Sequence, residues 1–461
     1  MLEKFILSVL VICTSLVFAD CGFAAELSMQ EKQQSLLDIY HQALAHDPTL
    51  ASATSANQAA QELLEQGKAL YRPTVNFSAG ANATQSDIRY IGGGFNPFKA
   101  EQGRSNYEGY NYGVDARQPI YRKQNLVQMD EAATQVSQAD RQLLLSQQAL
   151  ILRTTQSYFD VLIAQDKIEL INAQKAAILS QLEQAKANFE VGTSTITDVN
   201  EAQARHDLIV AQEIAANNEY QIAQRSVQAI TGEIPKLLAP VKADIKTNHL
   251  VQGMDEWLKV AAQNNLNIHI QQDTLKLSEQ EIERAKAGHL PTLDAVASYT
   301  DNYANGGYTG FGNELKAGVI GLQLQIPLYQ GGAVSSKVRQ AALNKQKAQD
   351  DVEIARRETE LETQRAYLNL STSIAQVSAY EQALISSQSQ LDSTKLGYEV
   401  GVRTSVDVLN AQQQLFSAKR DLLQSRYNYL VNIIRLKVAA GVVAEVDLAD
   451  INQQLVLNSI H

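Results

Sequence analysis

Phe189-Glu190-Val191-Gly192-Thr193-Ser194-Thr195-Ile196-Thr197-Asp198-Val199 and Tyr398-Glu399-Val400-Gly401-Val402-Arg403-Thr404-Ser405-Val406-Asp407-Val408 are two copies of one local pattern. Gly192 and Gly401 lie 209 residues apart. The same offset pairs Thr195 with Thr404, Asp198 with Asp407, Ala202 with Ala411, Gln203 with Gln412, Tyr220 with Tyr429 and Gly232 with Gly441. So many identities in one register mark an internal repeat. In each copy an apolar-periodic segment runs into a glycine, the residue best suited to the left-handed backbone that ends a helix. A threonine follows three residues later as an N-cap. An aspartate three residues beyond it completes a T-x-x-D capping box in the first turn, where the helix dipole favours negative charge. The pattern predicts helix, tight turn, helix, made twice, with Gly192 and Gly401 as the tip turns.

Outward from these tips the chain is almost free of helix breakers. Its 461 residues hold 24 glycines and 8 prolines, and these cluster. None occurs between Ile120 and Val191, Thr193 and Thr231, Ala333 and Leu396, or Val402 and Ala440. A stretch of about 70 helical residues is roughly 100 Å long. That exceeds what one globular core can bury, so these helices must cover one another. The return helices end at Thr231-Gly232 and Ala440-Gly441.

Two hairpins of a different period precede the long helices. From Thr74, Val75, Phe77, Ala79, Ala81 and Ala83 alternate with Asn76, Ser78, Gly80, Asn82 and Thr84. Tyr110, Tyr112, Val114 and Ala116 alternate with Asn111, Gly113, Asp115 and Arg117 after a loop with Gly92-Gly93-Gly94 and Asn96-Pro97. These are strands with one apolar and one polar face. The second half repeats them with Leu293, Ala295, Ala297 and Tyr299, then Ile320, Leu322, Leu324 and Ile326. Pro291 matches Pro73 at an offset of 218 and Tyr329 matches Tyr121 at 208, so the second interstrand loop is ten residues shorter. Ahead of each hairpin a helical region breaks once, at Asp47-Pro48 and at Asn264-Asn265.

The N-terminus reads as a secretory signal, with Lys4, an apolar run from Phe5 to Phe18, and cleavage after Ala19 or Ala24. Cys13 and Cys21, the two cysteines of the chain, lie in or beside it, so no disulfide framework is expected. The reading divides the chain into a signal peptide (1–24), a first repeat (25–245) and a second repeat (246–461) whose tail beyond Gly441 looks short and irregular. No later run reaches the roughly 18 apolar residues of a membrane helix. Net charge is −11 with signs mixed along the helices, which speaks against a nucleic-acid partner. The seven histidines form no H-E-x-x-H and no i,i+4 pair, and there is no G-x-x-x-x-G-K-[ST]. No enzyme, cofactor or metal site is expected.

Strands of this length can cross a bilayer, and Tyr90, Tyr107, Tyr110, Tyr112, Tyr121, Tyr299, Tyr303, Tyr308 and Tyr329 near their ends suit aromatic girdles. Four strands cannot close a barrel, since the smallest membrane barrels use about eight. An open edge in lipid leaves backbone groups without partners, so several chains must share one barrel. Two chains supply eight strands and three supply twelve; a water-filled lumen favours the larger number.

The duplicated plan, together with Leu324-Gln325-Ile326-Pro327-Leu328-Tyr329-Gln330-Gly331-Gly332 and the stretch from Tyr398 to Ala411, resembles the TolC family of outer-membrane efflux and secretion channels over nearly all of the mature sequence. The resemblance implies a mainly α fold with a small membrane β part. It implies a homotrimer whose twelve strands form one outer-membrane barrel, continued by a helical tunnel through the periplasm of a Gram-negative cell. It further implies a periplasmic adaptor and an inner-membrane pump of ABC, RND or MFS type as partners. Family gate positions fall on Thr197, Asp198, Tyr398 and Arg403, with Arg403 reaching Asp198 of a neighbour. The family's pore-narrowing acidic rings fall on Asp407 and on Asn410, where the second acid is replaced by an amide. The competing reading of the residues alone is a periplasmic coiled-coil adaptor that forms no pore. An adaptor should carry a lipoyl-like β block between its helical arms, and none is present.

Overall fold

The computed structural model describes residues 33–89, 103–242, 245, 252–307 and 311–456. The signal segment, both cysteines, Tyr90, the Gly92–Gly94 and Asn96-Pro97 loop, Tyr308, His249 and His461 lie outside the described residues. The elements run α1 (Leu36–His46), α2 (Pro48–Ala69), β1 (Thr74–Ile88), β2 (Gly103–Tyr121), α3 (Lys123–Glu190) and α4 (Ile196–Thr231). The same order then recurs as α5 (Met254–Asn264), α6 (Leu266–Lys286), β3 (Thr292–Ala304), β4 (Asn313–Gln325), α7 (Ala333–Glu399) and α8 (Ser405–Ala439), followed by α9 (Glu445–Asn452).

The breaks before each β-hairpin are made by one residue serving two helices. Asp47 ends α1 and caps α2, its carboxylate accepting from the Leu50 amide at 2.7 Å, with Pro48 at the first helical position where no N–H is needed. Asn265 does the same between α5 and α6, accepting from the Asn267 amide at 3.0 Å. Arg153 of α3 pairs with the buried Asp47 at 3.0 Å, and Asn265 donates to the Ala439 carbonyl at 2.9 Å, so each break is tied to the long helices.

The four strands form one antiparallel sheet in the order β1-β2-β3-β4. Its register aligns the alternation across all four. Val75, Ala116, Ala297 and Ile320 form one cross-strand row, and Phe77, Val114, Tyr299 and Gly318 the next. Asn76, Asp115, Ser298 and Val319 lie on the opposite face. Phe77 is 70% exposed and Ile320 is 91% exposed, so the apolar face is unsatisfied within one chain. β4 begins at Asn313, ahead of the alternation that starts at Ile320, because Glu314 and Lys316 interrupt the apolar pattern. Lys316 pairs across the sheet with Asp301 at 3.8 Å and along β4 with Glu314 at 2.7 Å, and Asp301 also accepts from Tyr112 of β2 at 2.7 Å. Where the sheet feeds the helices, Arg117 and Arg122 of the first repeat clasp the buried Asp294 of the second at 2.6 and 2.7 Å. A buried carboxylate of this kind is retained only when paired.

α3 has 68 residues and α7 has 67, about 100 Å each. α4 and α8 cover their lower halves, and α2 and α6 their upper halves. The main core sits where these ranges meet. Tyr158, Phe159 and Leu162 of α3 pack there with Leu430 and Ile434 of α8, Leu36 and Ile39 of α1, and Leu238 and Ala239 of the inter-repeat segment. The Tyr158 hydroxyl donates to the Ala239 carbonyl at 2.8 Å, which binds that segment to the core.

The tail beyond Gly441 corrects the expectation of an irregular end. It carries α9, whose first turn is held by the Ala444 amide donating to Asp447 at 2.8 Å. Leu448 and Ile451 are buried in the main core, and Leu455 bridges back to Val241. The apolar spacing of these three residues was a helical signal, obscured because Ala444 offers no capping side chain. Leu448→Ala should therefore lower stability by about 2–5 kcal/mol, read as a drop in the thermal midpoint of the helical circular-dichroism signal. An unchanged midpoint would show that α9 is not part of the core.

Candidate functional site

Both hairpin tips have the same backbone. Gly192 and Gly401 take φ of +76° and +79°. The Thr193 amide donates to the Asn188 carbonyl at 2.9 Å and the Gly192 amide to Phe189 at 3.0 Å. At the second tip Val402 donates to Gly397 at 2.9 Å and Gly401 to Tyr398 at 3.0 Å. These paired bonds form a Schellman motif, and a side chain at either glycine would strain it. Capping boxes start the return helices. The Asp198 amide donates to Thr195 Oγ1 at 3.2 Å while the Thr195 amide donates to the Asp198 carboxylate at 3.0 Å. Asp407 and Thr404 repeat this at 3.2 and 2.9 Å. The bonds from Thr195, backbone first, hold the Asp198 carboxyl below its ordinary value, and those from Thr404, with the field of Arg403, do the same for Asp407. Both carboxylates are therefore charged at neutral and mildly acidic pH.

The expected gate positions are brought to one end of the molecule, but not into one network within a chain. Asp198 is engaged by Thr195 and by Ser194, whose hydroxyl donates at 2.8 Å. No ion pair joins it to Arg403 among the described residues. The Arg403 stem lies over Gly397, where an added Cβ would come within 2.8 Å of Arg403 Cγ, so the glycine makes room for it. Thr197 is exposed. Tyr398 Oη accepts from Asn188 Nδ2 at 3.2 Å, which links the ends of α3 and α7. Asp407 lies partly exposed beside the cap, and Asn410 is exposed one turn further along α8. The Asn410 amide oxygen accepts from Arg205 Nη2 of α4 at 2.8 Å.

Sequence reasoning passed over Asn188 and Arg205. Arg205 stands one heptad beyond Asp198 and so on the same face of α4, which was the available signal. Among the described residues no group of His, Cys, Asp and Glu could hold a metal ion, and no helix is long and apolar enough to cross a membrane. What the arrangement offers chemically is a set of non-covalent ties between two hairpins, with charged carboxylates beside them.

Comparison with known proteins agrees with this architecture. The profile of the family described as Outer membrane efflux protein matches residues 39–233 and 257–442, one span in each repeat. The chain is 34% identical to outer membrane protein TolC of Vibrio cholerae, over 92% of this chain and 94% of that one. It is 33% identical to TolC of Escherichia coli, covering 93% and 86%. It is 30% identical to the alkaline protease secretion protein AprF of Pseudomonas aeruginosa, covering 90% and 85%. In fold it is similar to the CmeC outer membrane channel of Campylobacter jejuni, with a TM-score of 0.75 at 15% identity over 96% and 98% of the two chains. It is also similar to VceC of Vibrio cholerae, with a TM-score of 0.70 at 19% identity over 88% and 96%. A soluble adaptor has no use for the exposed apolar face of the sheet, and the relatives are channels rather than enzymes. The chain therefore belongs to the outer membrane efflux protein family, the TolC-like channels that serve efflux and secretion across the outer membrane.

Proposed function

We propose that three copies of this chain join through the open edges of β1 and β4 into one twelve-stranded barrel, and that their helices continue it as a periplasmic tunnel. The observation that carries this reading is the four-stranded sheet with two unpaired edges and an apolar face exposed at Val75, Phe77, Ile320 and Leu322. Closure satisfies the edges, the lipid covers Val75, Phe77, Ile320 and Leu322, and the face bearing Asn76, Asp115 and Ser298 lines water. Cargo reaches the tunnel from an inner-membrane pump of ABC, RND or MFS type through a periplasmic adaptor. Relatives named for protease secretion and for efflux support both uses of the duct.

The tips are the resting gate. Arg403 of one chain reaches Asp198 and Thr197 of its neighbour, and Tyr398 ties α7 to α3 within the chain. Single polar links near water are weak, so a partner that engages the tips can release them. Asp407 from three chains supplies a ring of carboxylates. At the width of such a constriction, below the Debye length of about 8 Å, salt screens their field incompletely and cations are preferred. Asn410 adds no charge to this ring.

Crosslinking in detergent should stop at a three-chain species, and a ladder ending at two chains would refute the assembly. Arg403→Ser combined with Tyr398→Phe leaves both caps intact and should raise planar-bilayer conductance; unchanged conductance would remove these residues from the gate. Asp407→Ala should abolish cation preference measured as reversal potential in a salt gradient, while the unsubstituted channel should be only weakly blocked by trivalent cations. Tight trivalent block would show that other acids line the constriction.

A further inference from the structure

Each hairpin has its own apolar seam. Ile171, Ile178, Ile209 and Ala216 hold α3 to α4, and Leu391, Val408, Ala411 and Leu415 hold α7 to α8. Near the tips the buried contact between the hairpins narrows to Leu182, Ala202 and Leu409, with Val199 against them. A cavity of about 40 Å³ lies beside this contact, lined by Arg205, Leu409, Gln412 and Gln413 among others, and the buried Gln412 Oε1 has no partner. Apolar packing across this seam is therefore sparse, and polar links must carry much of the fastening.

Those links are unequal. Asn188 to Tyr398 spans 3.2 Å and Gln181 to Ser405 spans 3.3 Å, and both are neutral. Arg205 donates from Nη1 to Gln413 Oε1 at 2.6 Å and from Nη2 to Asn410 Oδ1 at 2.8 Å. A charged donor makes a shorter and stronger bond, and the planar fork meets two acceptors set three residues apart on one face of α8. Glu201, one turn back on α4, accepts from Arg205 Nε at 2.9 Å, so the guanidinium is already oriented before it reaches α8. The Arg205 side chain is 22% exposed, although its acceptor Asn410 faces water. Asn410 stands six residues past the Thr404 cap, about 9 Å along α8, so the tie acts close to the moving end.

We propose that Arg205 is the latch that fastens the α7–α8 hairpin to the α3–α4 hairpin and thereby sets the resting width of the tip. The proposal rests on the reading of the tips as a gate. Arg205 is a positioning residue: it touches no cargo and acts through the placement of α8. Asn410 contributes as its acceptor.

The test uses the full-length channel with a spin label at Val402→Cys, on the exposed tip of the second hairpin. Arg205→Met keeps the stem and removes every donor. It should shift the fastened-to-released ratio at least about tenfold toward release, the low end for losing a single charge-assisted bond that partly faces water, seen as a mobile spectral component and as raised bilayer conductance. Arg205→Lys, a point donor, should fall between. Asn410→Ala with Gln413→Leu removes the acceptors while Arg205 keeps Glu201; it should reproduce Arg205→Met and add nothing to it, and it serves if Arg205→Met fails to fold. Label mobility equal to that of the unsubstituted chain in both variants overturns the latch. If Arg403→Ser with Tyr398→Phe raises conductance in the same assay, the gate reading survives that failure. A loosened label with unchanged conductance overturns the claim that this tie sets the resting width of the tip, and the gate reading then stands or falls on the conductance of Arg403→Ser with Tyr398→Phe.

Discussion

A strand edge in hydrocarbon has no water to satisfy its N–H and C=O groups, and this chain ends its sheet in two such edges. Most of the architecture follows from that constraint. The edges must meet edges of other copies. The barrel so closed must turn one face to lipid and the other to water, which is what the aligned rows of Val75, Ala116, Ala297 and Ile320 and of Asn76, Asp115 and Ser298 provide. The helices that leave the strands inherit a hollow arrangement, so each is covered by its neighbours rather than by a central core. Buried charge is confined to the places where one element must be locked to another, as with Asp294 between Arg117 and Arg122, and Asp47 against Arg153.

Stability is distributed unevenly along this length. The main core at mid-height gathers residues from both repeats, the segment between them and the tail helix. Below it each hairpin keeps a narrow seam of its own, and the seams are joined by one small apolar cluster and a few polar bonds. A structure that is firm at mid-height and lightly tied at the end can move at the end without unfolding. The rigid glycine turns and capping boxes belong to the same logic. They keep each tip intact as a unit, while the ties between the hairpins are fewer.

Much of the fold was legible in the residues because its determinants are local. A capping box spans four residues, a Schellman turn six, and strand alternation repeats every two, so Thr195 with Asp198, Gly401 with Tyr398, and Val75 with Phe77 announce themselves. The break at Asp47 was legible for the same reason. α9 was not, since its start carries alanine at the N-cap and its stability comes from burying Leu448 and Ile451 against distant helices.

By itself the sequence determined the duplication, the two long hairpins with their tip turns, the four two-faced strands and hence the need for more than one chain. Only the tertiary structure decided which side chains tie the hairpins together. Asn188 meets Tyr398 across 210 residues of chain, and Arg205 meets Asn410 across 205. Such pairs leave no periodic trace, because each depends on the rotation and axial offset of one long helix against another. Those are fixed by packing many turns away, in the core at mid-height.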